Sequence, residues 1–434
     1  MSTTSRNYSR RLVVGAGIFF AAFLSIQFVR PELRSSPAAD SSADEPVKQI
    51  LRNGCYNCHS NQTKLAWFDR IAPAYWLVAQ HVKQARHVLN FSDFDRLSRA
   101  QQRAVLFESV YQIQSGAMPP RSYQFLHPES RVTLQQVEIL KHYLSTQAPD
   151  QLTSHQDNSH SPSSPIPADV QPALNGIPFV PEYKNWKTIS STDRFDNHTM
   201  RLVLGNEVAF SAIASNHVNP WPDGTMLAKV AWEPSADGTG SVSAGKFVQV
   251  EFMIKDRKKY ASTKGWGFAR WKGTDLQPYG KSAVFAAECV GCHAPMRGND
   301  FVFTKPIESA RGKDSDSLPF DPFQWKVISS SIDVQGGTMA TLYGNDLAVD
   351  SARRGSQSNY PPGAILALVT WFQQDDSHWF GARIPGPIKS VEFVTASRSY
   401  QEFRGTPLKR TMTSARLVDS RINYILGQRA SVMP

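Results

Sequence analysis

The chain has 434 residues, a formal net charge of +10, 41% hydrophobic and 11% aromatic residues. That length accommodates two to four domains with cores of ordinary size, and the composition excludes a disordered chain. Apart from the short Arg257–Lys259 run and the arginines of the extreme N-terminus, the positive charge is dispersed, so it suits an anionic partner or surface and argues against nucleic-acid binding.

Residues 12–29, LVVGAGIFFAAFLSIQFV, carry no charge and follow Arg6, Arg10 and Arg11. Eighteen helical residues at about 1.5 Å each would just cross a bilayer core. The arginines favour a cytoplasmic tail over 1–11, an uncleaved single-pass anchor in the inner membrane over 12–29, and export of the bulk to the periplasm. A cleaved signal peptide is the rival reading, although no small-x-small site directly follows the apolar run. Residues 30–44, rich in Pro, Ser and Ala, read as a tether.

All four cysteines fall in two Cys-x-x-Cys-His motifs, Cys55/Cys58/His59 and Cys289/Cys292/His293. Two thiols that add to haem vinyl groups, followed by a histidine that supplies an axial nitrogen, are the signature of c-type haem attachment. The expected cofactors are therefore two covalently attached haems. An exported redox dithiol or disulfide is the competing use of such pairs, but here each is followed by His and no cysteine is left over.

Around the first motif, residues 45–150 read as an all-helical domain. LAWFDRIAPAYWLVAQHVKQARHVLNFSDF, SRAQQRAVLFESVYQIQSGAMPP and TLQQVEILKHYLSTQ all show helical apolar spacing. Met118, in the Met-Pro-Pro turn after a predicted helix, is the candidate sixth ligand opposite His59. A lone methionine is more often core, but the two prolines place this one in a loop. The segment resembles an exported haem-binding domain family that shares the Cys-x-x-Cys-His-Ser, the Ile-Ala-Pro-x-x-Trp helix and the distal Met-Pro-Pro. A His/Met pair would make this haem a closed electron carrier.

Residues 151–178 read as a linker, and beyond them the pattern becomes β-rich. It also repeats. KNWKTISS (184–191) matches FQWKVISS (323–330), TMRLVLGNEVA (199–209) matches TMATLYGNDLA (338–348), and PDGTMLAKVAW (222–232) matches PPGAILALVTW (361–371). Trp186 and Trp325, Gly205 and Gly344, and Trp232 and Trp371 each lie 139 positions apart, whereas Glu251 and Glu392 lie 141 apart after a two-residue insertion. This is an internal duplication. The first copy spans 179–305, a polar linker 306–320, and the second copy, without a Cys-x-x-Cys-His, 321–417; residues 418–434 read as a tail.

The first copy resembles the cytochrome P-460 family through RLVLGN, PDGTMLAK, VEFMIKD and CVGCHAP followed by NDFVFT. The resemblance implies an antiparallel α+β fold, a haem with an open distal side, a covalent lysine–porphyrin bond at Lys229, a distal acid at Glu251 and a distal basic residue at Arg201. Met296 is too close to His293 to reach the opposite side of the iron. The repeat tests these positions independently: Lys229 becomes Leu368 and Arg201 becomes Ala340 in the copy without a motif, while Glu251 persists as Glu392. The expected catalytic set is Glu251, Arg201 and Lys229.

The expected function is oxidation or binding of a small nitrogen species, hydroxylamine or nitric oxide, with electrons leaving by the His59/Met118 haem to an acceptor cytochrome. The alternative is a non-enzymatic electron carrier or nitric-oxide-binding protein. The family fold commonly pairs, so the second copy is also expected to stand in for the partner of a homodimer.

Overall fold

A computed structural model of the chain describes residues 3–33, 43–97, 99–146, 170–236, 240–283, 285–307, 318–355 and 359–434. The chain forms two units, Met1–Gln147 and Ala148–Pro434. Residues 151–169 of the expected linker and residues 308–317 of the second break lie outside the described residues.

The first unit is helical, as its periodicity predicts: α1 (Thr3–Ile26), α2 (Glu45–Gly54), α3 (Tyr56–His59), α4 (Ala74–Val88), α5 (Arg99–Gln114), α6 (Arg121–Leu126) and α7 (Leu134–Thr146). Glu45 and Pro46 open α2, and Val47, Ile50 and Leu51 give it one buried stripe. Val137, Leu140 and Leu144 do the same for α7. Gly54 is needed where α2 meets the first motif, because a Cβ there would lie 2.8 Å from Val132 Cγ2.

The membrane-span expectation for residues 12–29 is corrected. Among the described residues no helix is long and apolar enough to cross a membrane. The helix ends at Ile26, and the residues that follow belong to the domain. Gln27 Oε1 accepts from Ala72 N at 2.8 Å while Gln27 Nε2 donates to Ala72 O, and Val29 O accepts from Trp76 Nε1. Tyr75 Oη donates to Pro31 O at 2.7 Å, so the start of the expected tether is also fastened down.

In the second unit the duplication is built in three dimensions. The first copy has β1 (Lys187–Arg194), β2 (Thr199–Gly205), α8 (Glu207–Ala214), β3 (Met226–Ala236), β4 (Ser241–Lys255), β5 (Trp266–Lys272), β6 (Gln277–Pro278) and α9 (Phe285–His293). The second has β7 (Lys326–Asp333), β8 (Thr338–Gly344), α10 (Asp346–Arg353), β9 (Ile365–Asp375), β10 (Ala382–Thr395), β11 (Tyr400–Arg404), β12 (Lys409–Thr411) and α11 (Ala415–Leu426). The repeated Gly-Asn has one cause in both copies. Gly205 and Gly344 leave no room for a Cβ against Ile189 and Ile328, and Asn206 and Asn345 cap α8 and α10 by accepting from Ala209 N and Ala348 N.

The copies share one antiparallel sheet. The start of β4 pairs with the end of β7 (Ser241–Ser243 with Asp333–Ser331), and the start of β10 pairs with the end of β1 (Ala382 and Arg383 with Arg194 and Asp193). The order β1-β2-β3-β4-β7-β8-β9-β10, with β10 back on β1, is a closed ring. One face of it forms a common core in which Trp232, Val250, Phe252 and Trp271 of the first copy join Val369, Trp371, Val391 and Phe393 of the second. Each large aliphatic or Phe side chain so buried contributes about 1.5–3 kcal/mol.

Residues 418–434, expected as a tail, are corrected in the same way: they carry most of α11 and then enter the core. Trp232 Nε1 donates to Val432 O at 2.7 Å, and Met433 is buried beside it. The end of the expected linker likewise packs on the core through Ala173 and Ile177.

Candidate functional site

The other face of the first copy's sheet carries a row of charges set by strand register. Lys229 on β3 lies directly opposite Glu251 on β4, which lies opposite Arg270 on β5. Val203 on β2 completes the row, and Arg201, two residues away, points to the same side. Lys229 Nζ pairs with Glu251 Oε2, Arg270 Nε lies 2.8 Å from Glu251 Oε1, and Gln249 Nε2 donates to the same oxygen at 2.6 Å. Burial works against charge on Glu251, but Lys229, Arg270 and Arg201 outweigh it and hold the carboxyl down at about 2. Burial also pulls the Lys229 ammonium down against the opposing pull of Glu251, and burial together with Arg194 lowers Arg201.

Helix α9 packs on this face, with Cys289 and Val290 against the cluster of Val203, Leu227, Phe268 and Val302. Arg270, Glu251 and Lys229 all act electrostatically on Cys289 and His293. The structure therefore brings Lys229 and Glu251, far apart in sequence, to the second Cys-x-x-Cys-His motif, with Arg201 acting on Glu251. His293 Nδ1 lies 2.7 Å from Phe301 O. A carbonyl only accepts, so Nδ1 carries the proton and Nε2 keeps its lone pair. Burial drives the imidazole down to about 4, so the ring is neutral at neutral pH.

The loop that supplies this carbonyl is itself pinned. Lys255 Nζ donates to both Asp300 oxygens at 2.8 Å, Trp221 N donates to Asp300 Oδ2 and Trp266 Nε1 to Asp300 O. Asp300 and Phe301 both hold positive φ, the backbone form that turns the chain back towards His293.

In the second copy the corresponding row reads Leu342, Leu368, Glu392 and Glu402. Ile422, Ile425 and Leu426 of α11 pack on this face with Ala340, Leu342 and Leu368. Glu392 is held by Arg421 of α11, through Nε and Nη2 at 2.9 and 2.7 Å, and by Tyr400 Oη at 2.7 Å. The space against the row is filled by side chains of α11.

In the first unit, His59 repeats the geometry of His293. Its Nδ1 lies 3.1 Å from Leu89 O, leaving Nε2 with its lone pair, and burial lowers its pKa. Arg86 ties the motif down, with Nε donating to Ser60 O and Nη2 to Thr63 Oγ1, each at 2.8 Å. Met118 lies in the turn between α5 and α6, where its N–H donates to Gln112 O at 3.0 Å. Its side chain is 40% exposed, so it is not core. Asn57, inside the motif, donates to Tyr123 Oη at 3.3 Å and so ties α6 to it.

The donor set fits haem at both motifs. None of the four cysteines is in a disulfide, and each histidine is neutral with its Nδ1 on a backbone carbonyl. Burial, then Cys58, pushes the Cys55 thiol up to about 12, and burial likewise raises Cys58 and Cys289.

Residues 21–146 match the family model of a haem-binding domain, and residues 180–304 and 322–406 match that of cytochrome P-460. The chain is a haem-binding domain followed by two cytochrome P-460 domains. No curated protein matches it significantly. The duplication read from the sequence is thus a repeat of the P-460 domain itself.

Arg270 is the member of the charged row that sequence reading passed over. Its signal was an arginine in the apolar strand GFARWK, but only register sets it beside Glu251. The pinning pair Lys255–Asp300 and the carbonyl of Phe301 carried no sequence signal of their role.

Proposed function

We propose that the chain is a dihaem c-type cytochrome whose first P-460 copy oxidises or binds a small nitrogen species such as hydroxylamine or nitric oxide. The haem-binding domain would serve as its electron outlet to an acceptor cytochrome. Cys289, Cys292 and His293 would hold one haem, with Lys229 as the residue of a porphyrin bond; Cys55, Cys58, His59 and Met118 would hold the other. Haem supplies one-electron redox chemistry and an iron that takes a small ligand. An exported location accords with c-type attachment.

The observation that carries this reading is the Lys229–Glu251–Arg270 row facing the Cys-x-x-Cys-His helix. Glu251 is ionised at neutral pH and accepts hydrogen bonds from an N–H or O–H of a small substrate. Gln249, Lys229 and Arg270 fix its position, while the cations make it a weak base. Engagement of Lys229 elsewhere would remove one of them and strengthen Glu251 as a proton acceptor. The same low basicity favours the second reading, a protein that binds nitric oxide or carries electrons without abstracting protons.

The test is intact mass and optical spectra of the purified chain with hydroxylamine as reductant. The expected result is two haems, a lysine–porphyrin cross-link and hydroxylamine-dependent reduction that Glu251→Gln slows by about 10²-fold or more without loss of haem. Two ordinary c-type haems and no hydroxylamine-dependent reduction would leave the second reading standing. Met118→Ala should open the first haem to ligands and lower its potential, and an unchanged spectrum would remove Met118 as a ligand.

A further inference from the structure

The two copies differ in length at one hairpin. Between β3 and β4 the first copy has four residues, 237–240, and between β9 and β10 the second has six, 376–381. The two-residue insertion that shifts the repeat offset from 139 to 141 lies here. The longer loop, Asp-Ser-His-Trp-Phe-Gly, reaches across to the first copy.

Its contacts are specific. His378 Nδ1 lies 2.7 Å from Phe303 O and therefore donates to it. The Trp379 ring meets the Phe303 ring edge-on, with centroids 5.8 Å apart, and the Phe303 ring meets the His293 ring edge-on at 4.9 Å. On its other side Trp379 is stacked by Arg194 at 4.3 Å and donates Nε1 to Asp196 Oδ2 at 3.0 Å. Arg194 and Asp196 both act on Arg201. The loop is held in place by its own turn, His378 N to Asp376 Oδ1 at 2.8 Å, and by Gly381 O accepting from Asp196 N.

We propose that the second copy is a working part of the first copy's site: its loop 376–381 braces Phe303 and, through Phe303, fixes the orientation of His293. His378 and Trp379 are positioning residues. Two constraints then meet on the segment after the motif. Lys255–Asp300 sets the Phe301 carbonyl on His293 Nδ1, and the loop of the second copy sets the Phe303 ring edge-on to the imidazole. The imidazole is held by its N–H and by the Phe268 ring, with centroids 5.3 Å apart, and the Phe303 ring at 4.9 Å adds a second packed ring that limits its swing about the hydrogen bond. This explains why a copy without a haem motif retains an insertion at that one hairpin.

The experiment uses the full chain with His378→Ala, Trp379→Ala, the conservative His378→Asn and Trp379→Phe, and Lys409→Ala as an exposed control in the second copy. Hydrogen exchange is followed over residues 299–304, and the iron–histidine vibration and the reduction potential of the second-motif haem are recorded. The expected result is exchange accelerated by about tenfold in the alanine variants, the effect of one lost hydrogen bond, together with a displaced iron–histidine band. The conservative variants should restore both, and the control should leave both unchanged. Unaltered exchange overturns the brace, and faster exchange with an unaltered band and potential overturns its reach to His293. A chain that takes up no second haem would sink the proposed function, while the exchange measurement would still decide the brace.

Discussion

Glu251 and Glu392 occupy one repeat position and show how far partners decide what a carboxylate does. Glu392 is 3% exposed, clamped by Arg421 and Tyr400, and its role is structural. Glu251 faces the motif helix with Lys229 and Arg270 beside it. Because its folded pKa lies below the ordinary carboxylate value, Glu251 contributes stability that is fully present above about pH 4.5 and lost as pH falls towards 2. Glu251→Gln should therefore flatten the acid limb of the stability curve between those values, by up to about 3 kcal/mol in urea titrations. At neutral pH the same change should destabilise, since Lys229 and Arg270 lose their counter-ion. The Lys255–Asp300 pair makes a second residue-scale case: Lys255→Met should cost about 3–5 kcal/mol by stranding Asp300, and Lys255→Met with Asp300→Asn should cost less.

At the scale of elements, α9 and α11 pack on the same face of their respective copies but do opposite things. Helix α9 presents its motif to the charged row of the first copy; α11 fills the other face, with Ile422, Ile425 and Leu426 against Leu342 and Leu368 and with Arg421 on Glu392. Ile425→Ala should cost about 2–5 kcal/mol, read from chemical denaturation, because Ile425 is fully buried. Restoring Leu368→Lys and Ala340→Arg together should not recreate the charged site, since α11 occupies the face they would need. Such a variant should lose stability and gain no capacity for haem in reconstitution measured by absorbance. The helical reading of 45–150 was legible because its longer helices carry apolar stripes, such as Val47, Ile50 and Leu51 of α2 and Val137, Leu140 and Leu144 of α7. Residues 418–434 were misread as a tail because α11 shows its purpose only against Leu342 and Leu368, eighty and fifty-odd positions upstream.

For the whole molecule, the closed ring makes the two P-460 copies one cooperative body. Calorimetry should show them melting in a single transition, and two separable transitions within 170–434 would contradict the shared core of Trp232, Trp271 and Trp371. The sequence by itself determined the two Cys-x-x-Cys-His motifs, the order of the domains and the duplication, because spacing, composition and repeat offset are properties of the chain. It also marked Lys229 and Arg201 as changing with the motif. The tertiary structure decided the rest. Register alone put Arg270 beside Glu251, turning an expected proton acceptor into a countercharged carboxylate. The apolar N-terminal helix stops at Ile26, and Gln27 just beyond it is bonded to Ala72. Strand exchange between copies brought a six-residue hairpin to Phe303, which packs on His293, and the His378–Phe303 contact joins residues 75 positions apart that no local pattern connects.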